Sequence, residues 1–439
     1  MPTPAQAEAL ATLLDTQTPL VVVETHEEKR LVALADAVAR RSQRALWAWS
    51  ASKGLRGLHG MKLALVGQAV PVPPELAPWS SRFALEAMTP QRVQQMLREE
   101  ISRQRLRAGQ DVTGCARTLD SLQRHLAGLP ESAVRHLARL ALGDGEITTA
   151  DLAQVLQAKQ ASLGAAELLV FEQQLPTMDE VAGLQALKRW LALRRAPLLD
   201  GTDTGLPPPR GVLLLGVQGA GKSLAAKATA AAWQLPLFRM DFGALYDKFQ
   251  GESERKLREA LRMADSMQPC VLWMDEIEKG LAGTQGDGDG TGAARRLLGT
   301  LLTWMAERRS RVFLVATAND IEALPPELLR KGRFDEIFFI DLPGEAARAA
   351  LLRIHLGKLK IVCGEAELPA LVAASAGFSG AEVQAAAVAA RYEALAAGRG
   401  AVAADVLAEL RRTRPLSVTR AEALAALRAW GAERAVAAD

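Results

Sequence analysis

Gly211-Val-Leu-Leu-Leu-Gly-Val-Gln-Gly-Ala-Gly-Lys-Ser223 runs from an apolar segment into a glycine-rich turn that ends in lysine and serine. Leu224 to Trp233 then has the composition of a helix. Strand, glycine-rich loop and helix in this order form the context of a phosphate-binding P-loop. The loop residues Gly216, Val217, Gln218, Gly219, Ala220 and Gly221 can turn backbone N–H groups inward around phosphate oxygens, because glycine tolerates the backbone angles required. The helix that opens with Leu224 adds partial positive charge at its N-terminus. Lys222 reaches the outer phosphates, and the Ser223 hydroxyl is a ligand for Mg²⁺.

Outward from this loop, five apolar runs alternate with helical stretches: Val212 to Leu215, Leu237 to Met240, Cys270 to Met274, Val312 to Ala316 and Ile337 to Leu342. This alternation predicts an α/β fold, a parallel sheet with helices on both faces and ligands at the carboxyl ends of the strands. One strand, Val271-Leu-Trp-Met, ends in Asp275 and Glu276. Asp275 is placed to hold Mg²⁺, and Glu276 to polarise a water for in-line attack on a γ-phosphate.

The rest of the chain is less specific. Its 439 residues allow two to four domains, and a net charge of +3 argues against a constitutive nucleic-acid or membrane-surface binder. Cys115, Cys270 and Cys363 are far apart and give no disulfide frame, which fits a reducing cytoplasm. No segment reaches the roughly 18 apolar residues needed to span a bilayer. Residues 1–88 read as a small α/β unit, with short strands at Leu20 to Val23, Ala45 to Trp49 and Leu63 to Val66 and a rigid connector from Pro71 to Pro78. Thr25 and Glu28 have capping-box spacing ahead of a helix from Leu31 to Arg41, and Glu27 and Glu28 put negative charge where a phosphate would sit, so no nucleotide is expected there. Residues 89–173 are helical and Arg-rich; Val93, Met96 and Leu97 share one face. The layout from Ala127 to Gln157 matches that from Ala376 to Leu407, either as an internal repeat or as two unrelated alanine-rich segments.

The P-loop, the Asp275–Glu276 pair, Asn319 after the fourth strand and Leu329-Arg330-Lys-Gly-Arg333-Phe-Asp335 together resemble an AAA-type ATPase. The last motif, with Gly377-Phe-Ser-Gly-Ala-Glu382, points to the AAA proteins in the strict sense. Trp233-Gln-Leu-Pro-Leu237, Pro269-Cys-Val-Leu-Trp273, Asp275-Glu-Ile-Glu-Lys279, Ala318-Asn-Asp320 and Pro415-Leu-Ser-Val-Thr419 narrow the resemblance to a family of bacterial and plastid proteins named after hypothetical chloroplast reading frame forty-six. That family carries a degenerate ATPase-like N-terminal domain before one active module. Here the degenerate domain looks shortened between Gly54 and Met61.

The resemblance implies a P-loop NTPase module at 174–342 and a small helical lid at 343–439. It implies ATP and Mg²⁺ as cofactors, with Asn319 as a sensor of the attacking water or γ-phosphate and Arg330 and Arg333 as arginine fingers reaching a neighbouring subunit. Val181 and Ala182 match the segment that covers the adenine, Ala182 replacing the usual glycine. His355, Gly380 and Ala381 match lid positions near the ribose and adenine. Lys248, Phe249 and Gln250 resemble a first pore loop that grips extended polypeptide, although Phe249 also reads as a core aromatic. Gly283 to Gly292 occupies the second pore-loop region, and Arg295 and Arg296 are placed to touch a neighbour's nucleotide. The expected protein is a cytoplasmic, ring-shaped homo-oligomer of six, an ATPase that remodels or threads a protein partner. The alternative is an ATP-dependent assembly or recruitment switch.

Overall fold

The computed structural model describes residues 4–15, 20–25, 27–42, 63–67, 72, 75–83, 90–108, 113–114, 116–126, 129, 131–142, 146–162, 168–199, 206–242, 252–281 and 291–439. The expected strand at Ala45 to Trp49, the Lys248–Phe249–Gln250 loop and most of Gly283 to Gly292 lie outside them. The chain divides into two compact units, Met1–Ser162 and Leu163–Asp439. Among the described residues, no helix is long and apolar enough to cross a membrane.

In the first unit, α1 (Pro4–Asp15), β1 (Leu20–Glu24), α2 (Glu28–Arg41), β2 (Leu63–Gly67) and β3 (Ser80–Arg82) form a small layer in which the strands pair in parallel in the order β2-β1-β3. Alternate residues of β1, Val21 and Val23, pack with Leu10, Leu31, Leu34 and Val38. The helix start differs from the sequence expectation. The N-cap is Glu27, and Thr25 Oγ1 accepts the Glu27 N–H at 2.9 Å, so Thr25 closes the turn that leaves the strand and does not cap the helix. The Glu27 carboxylate pairs with Arg30 at 2.7 Å and accepts the Glu131 N–H at 2.5 Å.

The rest of this unit is α3 (Pro90–Ala108), β4 (Thr113–Gly114), α4 (Ala116–Leu126), α5 (Glu131–Ala141), β5 (Glu146–Ile147) and α6 (Thr149–Ser162). Helix α3 packs on α4 and α5, α6 packs on the same two helices, and β4 pairs in parallel with β5. Val93, Met96 and Leu97 are buried on α3, as their spacing predicts. Beside them Glu100 is 6 % exposed. Burial opposes its charge, but hydrogen bonding and charge from Arg139, aided by Arg103 and Arg135, prevail and hold its carboxyl below the usual range. Arg103 lies 2.7 Å and Arg139 3.2 Å from it. A carboxylate with a depressed folded pKa stabilises fully above its unfolded value, and that contribution is lost as pH falls through the folded value. The helical unit should therefore loosen in acid below the ordinary carboxylate range of about 4 to 4.5. Circular-dichroism melts of Glu100→Gln should show a lower Tm at pH 7 and a flatter acid dependence than wild type.

The second unit contains β6 (Leu169–Glu172), α7 (Gln185–Leu199), β7 (Gly211–Gly216), α8 (Lys222–Trp233), β8 (Leu237–Met240), α9 (Glu252–Ser266), β9 (Cys270–Met274), α10 (Ile277–Gly280), α11 (Thr291–Glu307), β10 (Val312–Ala318) and β11 (Glu336–Ile340). It continues through α12 (Glu345–Leu359), α13 (Leu368–Ala374), α14 (Gly380–Ala396), α15 (Ala403–Arg412), α16 (Leu416–Thr419), α17 (Ala421–Arg434) and β12 (Val436–Ala437). The sheet order is β12-β11-β7-β10-β9-β8-β6, parallel except for the edge pair β6–β8. Side-chain alternation divides the strands between two cores. Val212, Leu214, Val271, Trp273, Phe313 and Val315 face α7 and α8. Leu213, Leu215, Leu272, Met274, Leu314 and Ala316 face α9 and α11. Strands β7, β9 and β10 are buried throughout, which is why they read as continuous apolar runs.

Two edge strands depart from the sequence expectation. Leu169–Glu172 joins this sheet by pairing Leu169 with Met240, so the helical part of the first unit ends at Ser162. At the other edge, α17 packs Leu427 and Trp430 against the sheet core and β12 pairs Val436 with Phe338. The last residues therefore return to the sheet, and the helical lid proper is α12 to α15 around Leu352, Val383, Ala387 and Val406. In that lid α12 packs on α13 and α14, α15 packs on the same two helices, and Val362 pairs in parallel with Val402. This is the order found for α3 to α6 and β4–β5, which favours the internal repeat over chance resemblance.

Candidate functional site

Strand β7 is fully buried and ends where a side chain has no room: a Cβ on Gly216 would lie 2.0 Å from the Ile340 carbonyl oxygen. The chain then turns through Gly219 (φ 76°) and Gly221 (φ 100°), left-handed positions that favour glycine, and enters α8 at Lys222. The Lys222 ammonium bends back and donates to the carbonyls of Gly216 and Val217, both at 2.8 Å. Burial pushes its pKa down to about 8, against the pull of Glu278, Asp275 and Glu276. The loop thus holds a buried cation beneath a ring of backbone groups at a helix N-terminus, a site made for an oxyanion.

Asp275 follows β9, and two hydroxyls converge on its Oδ1. Ser223 Oγ donates at 2.9 Å and Thr317 Oγ1 at 2.6 Å. Thr317 also accepts the Glu276 N–H at 2.9 Å, tying the end of β10 to the end of β9. Sequence reading missed Thr317; its signal is a hydroxyl within the otherwise apolar run Val312–Ala318. Glu276 itself is left-handed, at φ 48° and ψ 54°. Its Oε1 accepts from Asn319 Nδ2 at 2.7 Å, and its other oxygen pairs with Lys279. The Asn319 N–H in turn donates to Glu278 at 3.0 Å. Glu278 is buried, and that burial raises its carboxyl.

Lys222, Ser223, Asp275, Glu276, Thr317 and Asn319 line one cavity of about 360 Å³ at the carboxyl end of the sheet, which Gly216, Val217 and Glu278 do not line. Of the sequence-predicted residues it brings together Val181, Ala182, the loop from Gln218 to Leu224, Asp275, Glu276, Asn319, His355, Gly380 and Ala381. It adds Leu184, Asp341, Gln384 and Asp439, which the sequence did not single out. The lid meets the loop directly, with the Ala381 N–H donating to the Gly219 carbonyl at 3.1 Å. The motif around it has a local cause. Gly377 is left-handed, Phe378 is buried, and Ser379 and Glu382 form the capping box of α14. His355 is half-buried, and burial together with Lys358 lowers its pKa, so its imidazole is neutral at neutral pH.

Arg330 and Arg333 are not among the lining residues. Arg330 is exposed, and Arg333 donates to the Leu302 carbonyl at 2.7 Å. Among the described residues neither pairs with Asp335. That carboxylate instead accepts the N–H groups of Arg210 and Gly211 at 2.6 and 2.9 Å and anchors the start of β7.

A family model for the ATPase family associated with various cellular activities (AAA) matches residues 212–342. Models for the N-terminal and second domains of SpoVK-like AAA ATPases match residues 6–77 and 91–165. Residues 212–342 are an AAA ATPase domain, preceded by SpoVK-like N-terminal domains. The AAA match covers the phosphate loop and the segments that carry Asp275, Glu276, Thr317 and Asn319, and the SpoVK-like matches fall on the small sheet layer and on the α3–α6 helices. The chain is 39% identical over 316 residues, 71% of its own length and 62% of the relative's, to an uncharacterized AAA domain-containing protein ycf46 of Guillardia theta. It is 32% identical over 248 residues, 54% of its length and 56% of the relative's, to the 26S proteasome subunit RPT4 of Saccharomyces cerevisiae. The chain thus spans less than two thirds of the curated relatives it matches. The FIGL-1 AAA domain crystal structure shares the fold, with a TM-score of 0.52 and 22% identity over 63% of this chain and 95% of that one.

The donor set of this AAA module suits a nucleotide triphosphate with a divalent metal. Ser223 Oγ and Asp275 Oδ1 offer the hard oxygens that Mg²⁺ requires, already 2.9 Å apart, and the buried Lys222 supplies the charge for phosphate.

Proposed function

We propose that the protein is a Mg²⁺-dependent ATPase that works as a ring-shaped oligomer, six-membered by family resemblance, in the cytoplasm, and that uses hydrolysis to remodel or thread a protein partner. The observation that carries this reading is the convergence of Lys222, the Ser223–Asp275 pair and the Asn319–Glu276 pair in one cavity, while Arg330 and Arg333 lie outside it. Lys222 holds the outer phosphates. Ser223 and Asp275 hold Mg²⁺, which when bound neutralises charge on the phosphate oxygens. Glu276 takes the proton of the attacking water, and Asn319 orients the carboxylate that does so. Among the described residues, none lining the cavity supplies the planar guanidinium that would stabilise charge on the transferred phosphoryl group, and the reading assigns that task to Arg330 and Arg333 of an adjacent copy. The similarity to a proteasome subunit is in keeping with a protein substrate.

Native mass spectrometry of Glu276→Gln tests this. With ATP the variant should bind, stall and form a closed oligomer; with ADP the oligomer should shrink. A monomer in both states would favour the recruitment switch and send the search to what residues 1–88 bind.

A further inference from the structure

A turn in the cavity wall, Val181–Leu184, is held by two oppositely charged side chains that no catalytic role requires. Gly183 and Leu184 are both left-handed, at φ 67° and 58°. That geometry is unfavourable for leucine and persists only where the surroundings fix it. The surroundings do so from two sides. The Leu184 N–H donates to Asp439 Oδ1, and Lys188 Nζ donates to the Val181 carbonyl. Lys188 is delivered by the first turn of α7. Asp439 is delivered by β12, whose placement is fixed by backbone bonds. The Ala438 N–H donates to the Phe339 carbonyl at 3.0 Å, and the Leu187 N–H donates to the Ala438 carbonyl at 3.1 Å. Asp439 lines the cavity together with Val181, Ala182 and Leu184. The fit at the turn is close, since a Cβ on Gly183 would lie 2.8 Å from Asp439 Oδ1. Burial lowers the Lys188 pKa, against the opposing charges of Asp179 and then Asp439.

We infer that Lys188 and Asp439 are positioning residues that clamp the Val181–Leu184 turn and thereby select adenine at the base end of the cavity. The clamp occupies the Val181 carbonyl and the Leu184 N–H, leaving the N–H and C=O of Ala182, which lines the cavity, as the edge offered to the base. One residue's own N–H and C=O present one donor and one acceptor. Adenine offers a matching N6–H donor and N1 acceptor, whereas guanine reverses both polarities, and a mismatched polar edge is costly in a buried site. A turn fixed by side chains on both sides cannot flip to suit the second base.

This inference rests on the ATPase reading, and the test separates the two. Fluorescent ATP and GTP analogues, and tripolyphosphate as a competitor without a base, would be titrated into wild type, D439A, D439N and K188M. Loss of one clamp bond should raise Kd for ATP at least about fivefold and narrow the ATP-over-GTP preference, while tripolyphosphate affinity changes less than about twofold. D439N keeps an acceptor oxygen for the Leu184 N–H and should restore most ATP affinity. K188M reports on the clamp independently should D439A melt early. Unchanged ATP and GTP affinities in D439A and K188M, or equal losses for ATP and tripolyphosphate, would overturn the clamp. A wild type that binds neither ATP nor tripolyphosphate would overturn the ATPase reading, and the clamp with it.

Discussion

Lys222→Ala should raise the Kd for ATP by at least about 100-fold, because two charge-assisted hydrogen bonds of about 1.5–3 kcal/mol each are lost from a buried site. The lysine is 6 % exposed and its ammonium rests on the Gly216 and Val217 carbonyls. Phosphate would offer that ammonium anionic oxygens in a place where water is scarce and attraction is strong. Among the described residues lining the cavity beside the loop, no other side chain carries a positive charge. Isothermal titration with ATP and with ADP is the direct measurement. Both should lose binding, since the lysine addresses phosphates that ADP retains in part. A thermal melt accompanies it, because removing the ammonium leaves two carbonyls without their donor. Tight ATP binding by a folded Lys222→Ala protein would move the phosphate site away from residues 216–223.

Arg333→Ala should leave ATP binding near wild type and lower turnover about 1,000-fold, the scale found when an arginine finger is removed. The sharper version mixes two inactive proteins. Arg333→Ala keeps Glu276 but has no finger to lend; Glu276→Gln keeps the finger but has no base. If the arginine acts on its neighbour, a mixed ring contains some junctions at which an intact Glu276 faces an intact Arg333, and part of the activity returns. If the arginine acts within its own chain, every site lacks one of the two groups and mixing restores nothing. Arg333 has a local role as well, donating to the Leu302 carbonyl at 2.7 Å. That contact alone would give loss of stability without rescue on mixing.

What the sequence disclosed depends on distance along the chain. The phosphate loop lies within eight consecutive residues, and its glycines, lysine and serine each have a steric or electrostatic reason visible locally. Strands β7, β9 and β10 are buried on both faces, so their apolar runs are unambiguous. The edge strands were harder. Leu169–Glu172 and Val436–Ala437 are short, and their pairing is decided by β8 and β11, not by their own composition. Thr25 had the right spacing for a cap and the wrong register, because Glu27 stands where the helix begins. Thr317 was hidden as one hydroxyl in a strand, and only the structure shows it bridging Asp275 and Glu276. Asp439 was beyond reach: its partner Leu184 is 255 residues away, and nothing local to either residue marks the contact.

A side-chain-bearing residue held at φ 48° and ψ 54°, as Glu276 is, costs about 1–2 kcal/mol relative to relaxed backbone. Glycine there would recover that energy and erase the proposed general base in the same step. Heat resistance and turnover therefore pull in opposite directions at this codon. A laboratory evolution campaign that scores only survival on heating will tend to drift toward a hardy, silent enzyme, so selection on this protein has to reward hydrolysis in every round.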